Sequence, residues 1–151
     1  MAITSAVTNT FKAEVLKGGH NFNTSGGTPA GNAFKIALYD NSATLGTTTT
    51  VYNASDEVSG SGYSAGGNAL TNTGVGTTTT TSFTDFSDTS WTSASFTARG
   101  CLIYNTTAVT GFTTNRAVCA VDFGGDKTVS SGTFTIQFPT NDSSSAILRL
   151  S

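Results

Sequence analysis

The sequence contains few charged residues, and this scarcity excludes several classes of protein. Only 11% of the 151 residues are charged, whereas ~25% is usual for a soluble domain. Seven Lys and Arg against nine Asp and Glu give a net charge of −2, and the basic residues form no cluster. Because binding to nucleic-acid phosphates needs several basic side chains on one face, we expect no direct nucleic-acid partner. No apolar run is long enough to span a bilayer, so we expect no membrane partner either.

Histidine and cysteine are also scarce, which argues against a zinc site. His20 is the single histidine, and Cys101 and Cys119 are the two cysteines, without the spacing of a metal-binding knuckle. Residues 1–7 lack the basic and apolar regions of a signal peptide, so we expect synthesis in a reducing cytoplasm. That compartment favours two buried thiols. A disulfide is the alternative, because a hairpin centred near Thr110 would place the two cysteines opposite each other.

Short apolar segments bounded by Gly, Asn, Asp, Ser or Pro are abundant, and they are typical of β-strands. The four clearest lie at residues 94–104, 117–123, 133–138 and 146–150. Phe134, Ile136 and Phe138 alternate with polar residues, which predicts one solvated and one buried face. The segments around Leu102 and Val118 are apolar on both faces, which predicts central strands covered on both sides.

The first half of the chain adds further strands and one helix. Residues 32–40 predict a strand with Phe34, Ile36 and Leu38 on one face. Residues 8–17 predict a short helix that Gly18-Gly19 ends, and a helix of this length needs packing to be stable. It either plugs an open end of the fold or docks a neighbouring subunit.

The predicted fold class is all-β, a jelly-roll or β-sandwich of about eight strands with a short N-terminal helix. Low charge and many threonines agree with strands that carry Thr on their solvated face. A length of 151 residues suits one domain, and no linker or charge run divides the chain. We therefore expect a single domain over residues 1–151.

The sequence offers ionisable residues but no arrangement that specifies a reaction. His20 would need a nucleophile and an orienting acid for catalysis, and the alternative is a turn residue bonded to the loop after the helix. Acidic residues could bind Ca²⁺, which takes about six oxygen ligands, or could simply form turns; these are Asp56, Glu57, Asp85 and Asp88.

Glycine and aromatic residues are equally ambiguous. The glycines of residues 60–67 have no following Lys-Ser/Thr and are not a phosphate-binding loop. Aromatic side chains could stack on sugar rings, although in β-proteins they are more often core or interface residues; these are Tyr52, Tyr63, Trp91 and Tyr104. We expect no cofactor and no enzymatic activity.

Several motifs along the chain resemble a group of small virion structural proteins of tailed bacteriophages. The motifs are FKAEVLKGGHNF (11–22), FKIALY (34–39), EVSGSGY (57–63), ARGCLIYN (98–105), NRAVCAVDFG (115–124), FP (138–139) and ILR (147–149). The resemblance implies a virion protein, most simply a capsid cement or decoration protein. Such a protein binds the major capsid protein at subunit junctions on the outer capsid surface and stabilises the head. The alternative is a tail or fibre module that binds carbohydrate.

A clamping role would need contact residues and a matching symmetry. Phe11, Trp91 and Phe112 are the candidate interface residues. Phe112 stands alone among polar residues in the 106–115 segment, so it is either an exposed apolar tip or folds back onto its own sheet. Because shell junctions have local symmetry, a homotrimer or homodimer is expected.

Overall fold

Two antiparallel β-sheets and one short helix make up the computed structural model, which describes residues 2–151. The elements are β1 (Ala6–Val7), α1 (Asn9–Leu16), β2 (Phe34–Tyr39), β3 (Asn68–Leu70), β4 (Asn72–Thr77), β5 (Ser82–Phe86), β6 (Thr89–Asn105), β7 (Arg116–Ile136) and β8 (Leu148–Leu150). The strand order is β1-β7-β6-β2-β3 in the five-stranded sheet and β4-β5-β8 in the three-stranded sheet. The predicted all-β sandwich of eight strands with a short N-terminal helix is confirmed.

The long hairpin of β6 and β7 forms the centre of the larger sheet. The predicted segments 117–123 and 133–138 belong mainly to one strand, because the residues between them continue the ladder with β6. Irregularities in the pairing interrupt this ladder at four places, for example between Ile103 and Tyr104. Such bulges bend a strand and increase its twist. Despite them, β6 and β7 pair from Thr89 and Ile136 at one end to Asn105 and Arg116 at the other.

The register of this hairpin corrects the expected position of the cysteines. Cys101 pairs with Val121 and Cys119 pairs with Ile103, so the two cysteines are not opposite each other. Both are free and buried. Burial raises the pKa of the Cys119 thiol to about 12 and also raises that of Cys101, so both thiols stay protonated at neutral pH.

One core lies between the two sheets. Ile36 and Leu38 of β2 are fully buried in it, together with Phe86 of β5 and Leu148 of β8. Phe134, Ile136 and Phe138 lie along its edge on the inner side, as their alternation with polar residues predicted, but they are half-buried rather than buried.

A second core covers the other face of the five-stranded sheet. Ala37, Leu102 and Tyr104 are buried there beneath Ile3 and Leu45. Ile3 and Leu45 form an isolated parallel β-bridge. The N-terminal residues and the 41–58 segment that follows β2 therefore cover this face together. The prediction that the central strands are covered on both sides is therefore confirmed.

The helix α1 closes one end of the sandwich. The Thr8 hydroxyl accepts a hydrogen bond from the Phe11 amide (3.2 Å) and caps the helix N-terminus. Gly18, with φ of +79°, turns the chain away, and the Gly19 amide donates to the Glu14 carbonyl (2.8 Å). Phe11 is buried in the core, whereas Leu16 is 89% exposed. The burial of Phe11 agrees with the plug, and the exposed Leu16 leaves docking of a neighbouring subunit open as a prediction.

Two glycines with similar backbone angles give a matched test of the packing around β2. Gly67 (φ +67°) lies so close to β2 that a Cβ would overlap the Ile36 carbonyl, whereas Gly111 (φ +86°) has nothing within 4 Å. We expect Gly111→Ala to lower the free energy of unfolding by about 1 kcal/mol, the cost of a left-handed non-glycine residue. Gly67→Ala must also displace backbone and should cost roughly 3 kcal/mol or more. Urea unfolding measures both, and equal losses would contradict this packing.

Candidate functional site

A buried polar cluster surrounds His20, where α1 meets the closed end of the β6–β7 hairpin, next to the connecting segment 106–115. The His20 side chain is 0% exposed, with Nε2 lying 2.8 Å from Glu14 Oε2 and Nδ1 lying 3.1 Å from Asn105 Nδ2. Asn105 Oδ1 accepts from the Thr107 amide (2.9 Å), which orients the Asn105 amide nitrogen toward His20. An amide nitrogen only donates. His20 Nδ1 must therefore accept, and Nε2–H donates to Glu14, so the ring is neutral and its tautomer is fixed.

Burial controls the ionisation of this histidine. Desolvation is the largest influence and lowers the pKa of His20 from its usual 6.5; the hydrogen bond to Glu14 opposes this shift, and the charge of Arg116 adds to it. Glu14 and Arg116 are the charged groups that face the ring.

Arg116 ties the cluster to the neighbouring loops. Its side chain is fully buried. Nη2 donates to the Gly19 carbonyl (2.6 Å), and Nη1 donates to the carbonyls of Thr113 (2.8 Å) and Thr107 (3.2 Å). Hydrogen bonds from a charged guanidinium to carbonyl groups are stronger than those between neutral groups, and here three carbonyls accept from Arg116. The guanidinium therefore fixes the 106–115 segment to the end of α1.

The arrangement gives His20 a structural partner on each side and no route to a substrate. Both ring nitrogens are engaged by Glu14 and Asn105, and the ring packs among phenylalanines, with the Phe11 centroid 4.9 Å away. A general base must reach the proton that it removes, whereas the His20 ring is buried and both of its nitrogens are already hydrogen-bonded. Of the two interpretations of His20, the hydrogen-bonded turn residue is the one that this geometry matches.

The three predicted interface residues lie in different environments, and two predictions need correction. Phe11 is 5% exposed and Trp91 is 3% exposed, so both rings belong to the core and neither is available to a partner. Phe112 is half-buried and folds back: its ring packs against Gly19 and lies 5.5 Å below the Arg116 guanidinium. The folded-back alternative for Phe112 is therefore the observed one.

A second polar cluster is centred on Glu57 and fixes the loop before β3. Tyr63 Oη (2.7 Å) and the Gly66 amide (2.7 Å) donate to Glu57 Oε1, and Tyr52 Oη donates to Oε2 (2.6 Å). The Tyr104 hydroxyl donates to the Gly66 carbonyl (2.7 Å). Burial, followed by the Glu57 charge, raises the pKa of Tyr104 to about 12. These hydroxyls are used within the protein rather than presented to a sugar.

The acidic residues near β5 also bond to the backbone. The fully buried Asp85 accepts from the amides of Phe86 (2.8 Å) and Ile147 (3.1 Å), and burial raises its pKa. Asp88 accepts from the Phe138 amide (2.8 Å). Within residues 2–151, no group of three or more His, Cys, Asp or Glu side chains is placed to hold a metal ion. No helix in that range is long and apolar enough to cross a membrane.

Comparison with known proteins gives no match: no family model, no curated protein and no solved structure matches this chain. Support for a function therefore comes from the geometry of the molecule and from the resemblance in its sequence.

The lowered pKa of His20 predicts a pH-dependent stability. Because the unfolded chain binds the proton near pH 6.5 and the folded protein only at lower pH, His20 contributes its full stability above 6.5. That stability is lost as the pH falls below 6.5, by up to about 1.4 kcal/mol per pH unit, until the folded pKa is reached. Urea unfolding of the wild type and of His20→Gln between pH 7.5 and 5 should isolate this component. Parallel pH profiles, or an NMR titration midpoint of 6.5 or above, would contradict the buried neutral ring.

The Glu57 cluster predicts a stability loss that depends on the carboxylate. Glu57→Gln replaces one carboxylate oxygen, which accepts a hydrogen bond, with an NH2 group, which can only donate. Because the neighbouring groups are also donors, we expect the free energy of unfolding to fall by about 1–3 kcal/mol. Tyr52→Phe removes one donor from a half-buried site and should cost about 1 kcal/mol. Thermal unfolding of both variants checks this order. A Glu57→Gln protein as stable as the wild type would show that the cluster does not hold the loop.

Proposed function

We propose that this protein is a structural component of a tailed-phage virion, a capsid cement protein that acts by adhesion rather than by catalysis. Its partner is the major capsid protein, which it binds at subunit junctions on the outer surface of the head. A homotrimer or homodimer would match the local symmetry of those junctions. The sequence motifs that resemble virion proteins support the class of protein, and the surface of the β6–β7 hairpin supports the mode of action.

The observation that carries the proposal is an exposed group of hydroxyl side chains on the outer face of the hairpin, between the Arg99–Asp126 ion pair and the open end. We call this the hydroxyl face and define it by Ser90, Thr97, Thr128 and Thr135, which are all exposed. The hydroxyls pair across the strands, Ser90 with Thr135 (2.8 Å) and Thr97 with Thr128 (2.8 Å). Charged residues are depleted at the centres of protein interfaces because burying a charge is costly. A face of paired hydroxyls can therefore be covered by another protein at little cost.

The stiffness of the loops is a second source of support. His20, Glu57 and Arg116 each hold a loop to the sheets through two or more hydrogen bonds. Association is weakened when loops and side chains must be ordered on binding. A protein whose loops are already fixed loses less conformational entropy on binding, which suits a cement protein that must hold the capsid against internal pressure.

A charge placed on the hydroxyl face tests the proposal. The double variant Thr97→Lys/Thr128→Lys puts two positive charges at directly paired positions of that face. Thr79→Lys/Thr80→Lys adds the same charge at the exposed turn after β4 and is the matched control. We expect the wild type and the control to bind particles that lack this protein and to restore their heat resistance. The hydroxyl-face variant should bind at least tenfold more weakly, since an unpaired charge would be buried.

Cosedimentation with purified particles measures the binding, and circular dichroism checks that both variants remain folded. A copy number comparable to that of the major capsid protein is expected. Particles that are equally heat-resistant without this protein, or a hydroxyl-face variant that binds like the wild type, would contradict the cement role. A low copy number confined to the tail would favour the tail-module alternative.

A further inference from the structure

The two sheets differ in width, and the difference leaves part of the inner face of β7 uncovered. Three strands lie against five, and β7 is the strand next to the edge strand β1, which is only two residues long. The inward side chains along this part of β7 and just beyond it are only half-buried; they are Val121, Phe123, Phe134, Ile136 and Phe138. Half-buried apolar side chains that neighbour one another indicate a surface on which something else can pack.

These side chains line a cleft of about 490 Å³. Cys101 and Ile103 of β6 lie at its base, and Pro139 and Ile147 border it on the side of the smaller sheet. Ligand pockets usually measure ~300–1,000 Å³ and are mainly apolar with a few polar groups. This cleft has that size and that character, and because burial raises the pKa of the Cys101 thiol, its base is neutral as well.

A single charged residue, Lys127, lines the cleft. Lys127 pairs with the inward-facing Ala98, whereas the adjacent Asp126 points to the outer face. There Asp126 lies 3.7 Å from Arg99 Nη1 and accepts from Asn41 Nδ2 (3.3 Å). Among residues 2–151, no hydrogen bond or ion pair involves the Lys127 ammonium group. The nearest acid in sequence is thus engaged elsewhere, and the cleft has an apolar wall with one free cation.

We propose that this cleft binds a free long-chain carboxylate, with the alkyl chain against Phe134 and Ile136 and the carboxylate against Lys127. The apolar lining would contact the alkyl chain of the ligand, and the unpaired Lys127 ammonium would pair with its carboxylate. A neutral alcohol of the same length lacks the head-group contact. Of the four residues of the hydroxyl face only Thr135 also lines the cleft, and the argument for this ligand site does not rest on the cement role.

Calorimetric titration of the purified protein with decanoate and with decanol tests the assignment. We expect saturable binding of decanoate and weaker binding of decanol. Lys127→Gln should weaken decanoate binding about three- to fivefold, the range of an exposed ion pair, and leave decanol binding unchanged. Lys12→Gln removes an exposed lysine from α1 and is the matched control, with no expected change. Ile136→Trp fills the cleft and should abolish the binding of both ligands in a protein that circular dichroism shows to be folded.

The outcomes of these titrations distinguish a free carboxylate from a neutral chain and from a membrane surface as the ligand. Lack of decanoate binding to the wild type would overturn the proposal. Equal binding of decanol and decanoate, or equal effects of Lys127→Gln on both, would overturn the role of Lys127. Cosedimentation with phosphatidylglycerol vesicles in the absence of decanoate binding would show a membrane surface rather than a free carboxylate as the ligand, and would also overturn it.

Discussion

Burial on both faces of one half of the β6–β7 hairpin, residues 100–105 and 116–120, is the constraint on which the rest of the structure depends. Alternate side chains of one strand serve two cores: Ile103 faces the smaller sheet, whereas Leu102 and Tyr104 face the N-terminal cover. A shift of one residue in this strand would exchange the two sets. Because both sets are apolar but differ in shape, packing on the two sides selects one register. The sheets, the helix and the excursion at 41–58 are then arranged around that hairpin.

The ends of the same strands hold the main polar cluster. Asn105 ends β6 and Arg116 begins β7, and both are fully buried. Each bonds to the segment that follows α1: Asn105 to His20 and Arg116 to the Gly19 carbonyl. Burying polar groups is favourable only when their hydrogen bonds are satisfied. The segment that follows the helix is therefore required at this end of the sandwich as a source of partners, and Phe11 of the helix provides apolar cover.

Periodicity in the sequence was sufficient to predict the elements that are defined by burial. The apolar runs around Leu102 and Val118 predicted burial on both faces, and the alternation of Phe134, Ile136 and Phe138 predicted the side on which they lie but not their incomplete burial. The position of the cysteines was wrong because the hairpin is not centred on Thr110 and a bulge near Val118 shifts the ladder by one further residue, and a sequence pattern carries little information about either. Phe11 and Trp91 were wrong as contact residues because an aromatic side chain is equally suited to a core and to an interface.

The sites that depend on the course of loops were not visible in the sequence. Tyr52, Glu57 and Tyr63 are close in the chain, but only the path of the loop aims both hydroxyls at one carboxylate. Nη1 and Nη2 of the buried Arg116 bond to carbonyl groups, which every residue has, so no partner residue marks this arginine in the sequence. The cleft beside Lys127 exists because the two sheets have different widths, a property of the whole fold.

The central claim is the proposal that the protein adheres to a capsid through the hydroxyl face. The most direct measurement is a cryo-electron microscopy map of the particle, at a resolution that allows this chain to be placed. The account predicts that the protein lies on the outer surface of the head, with Ser90, Thr97, Thr128 and Thr135 against the major capsid protein. A position away from the head, or a placement in which these four residues face solvent, would contradict it.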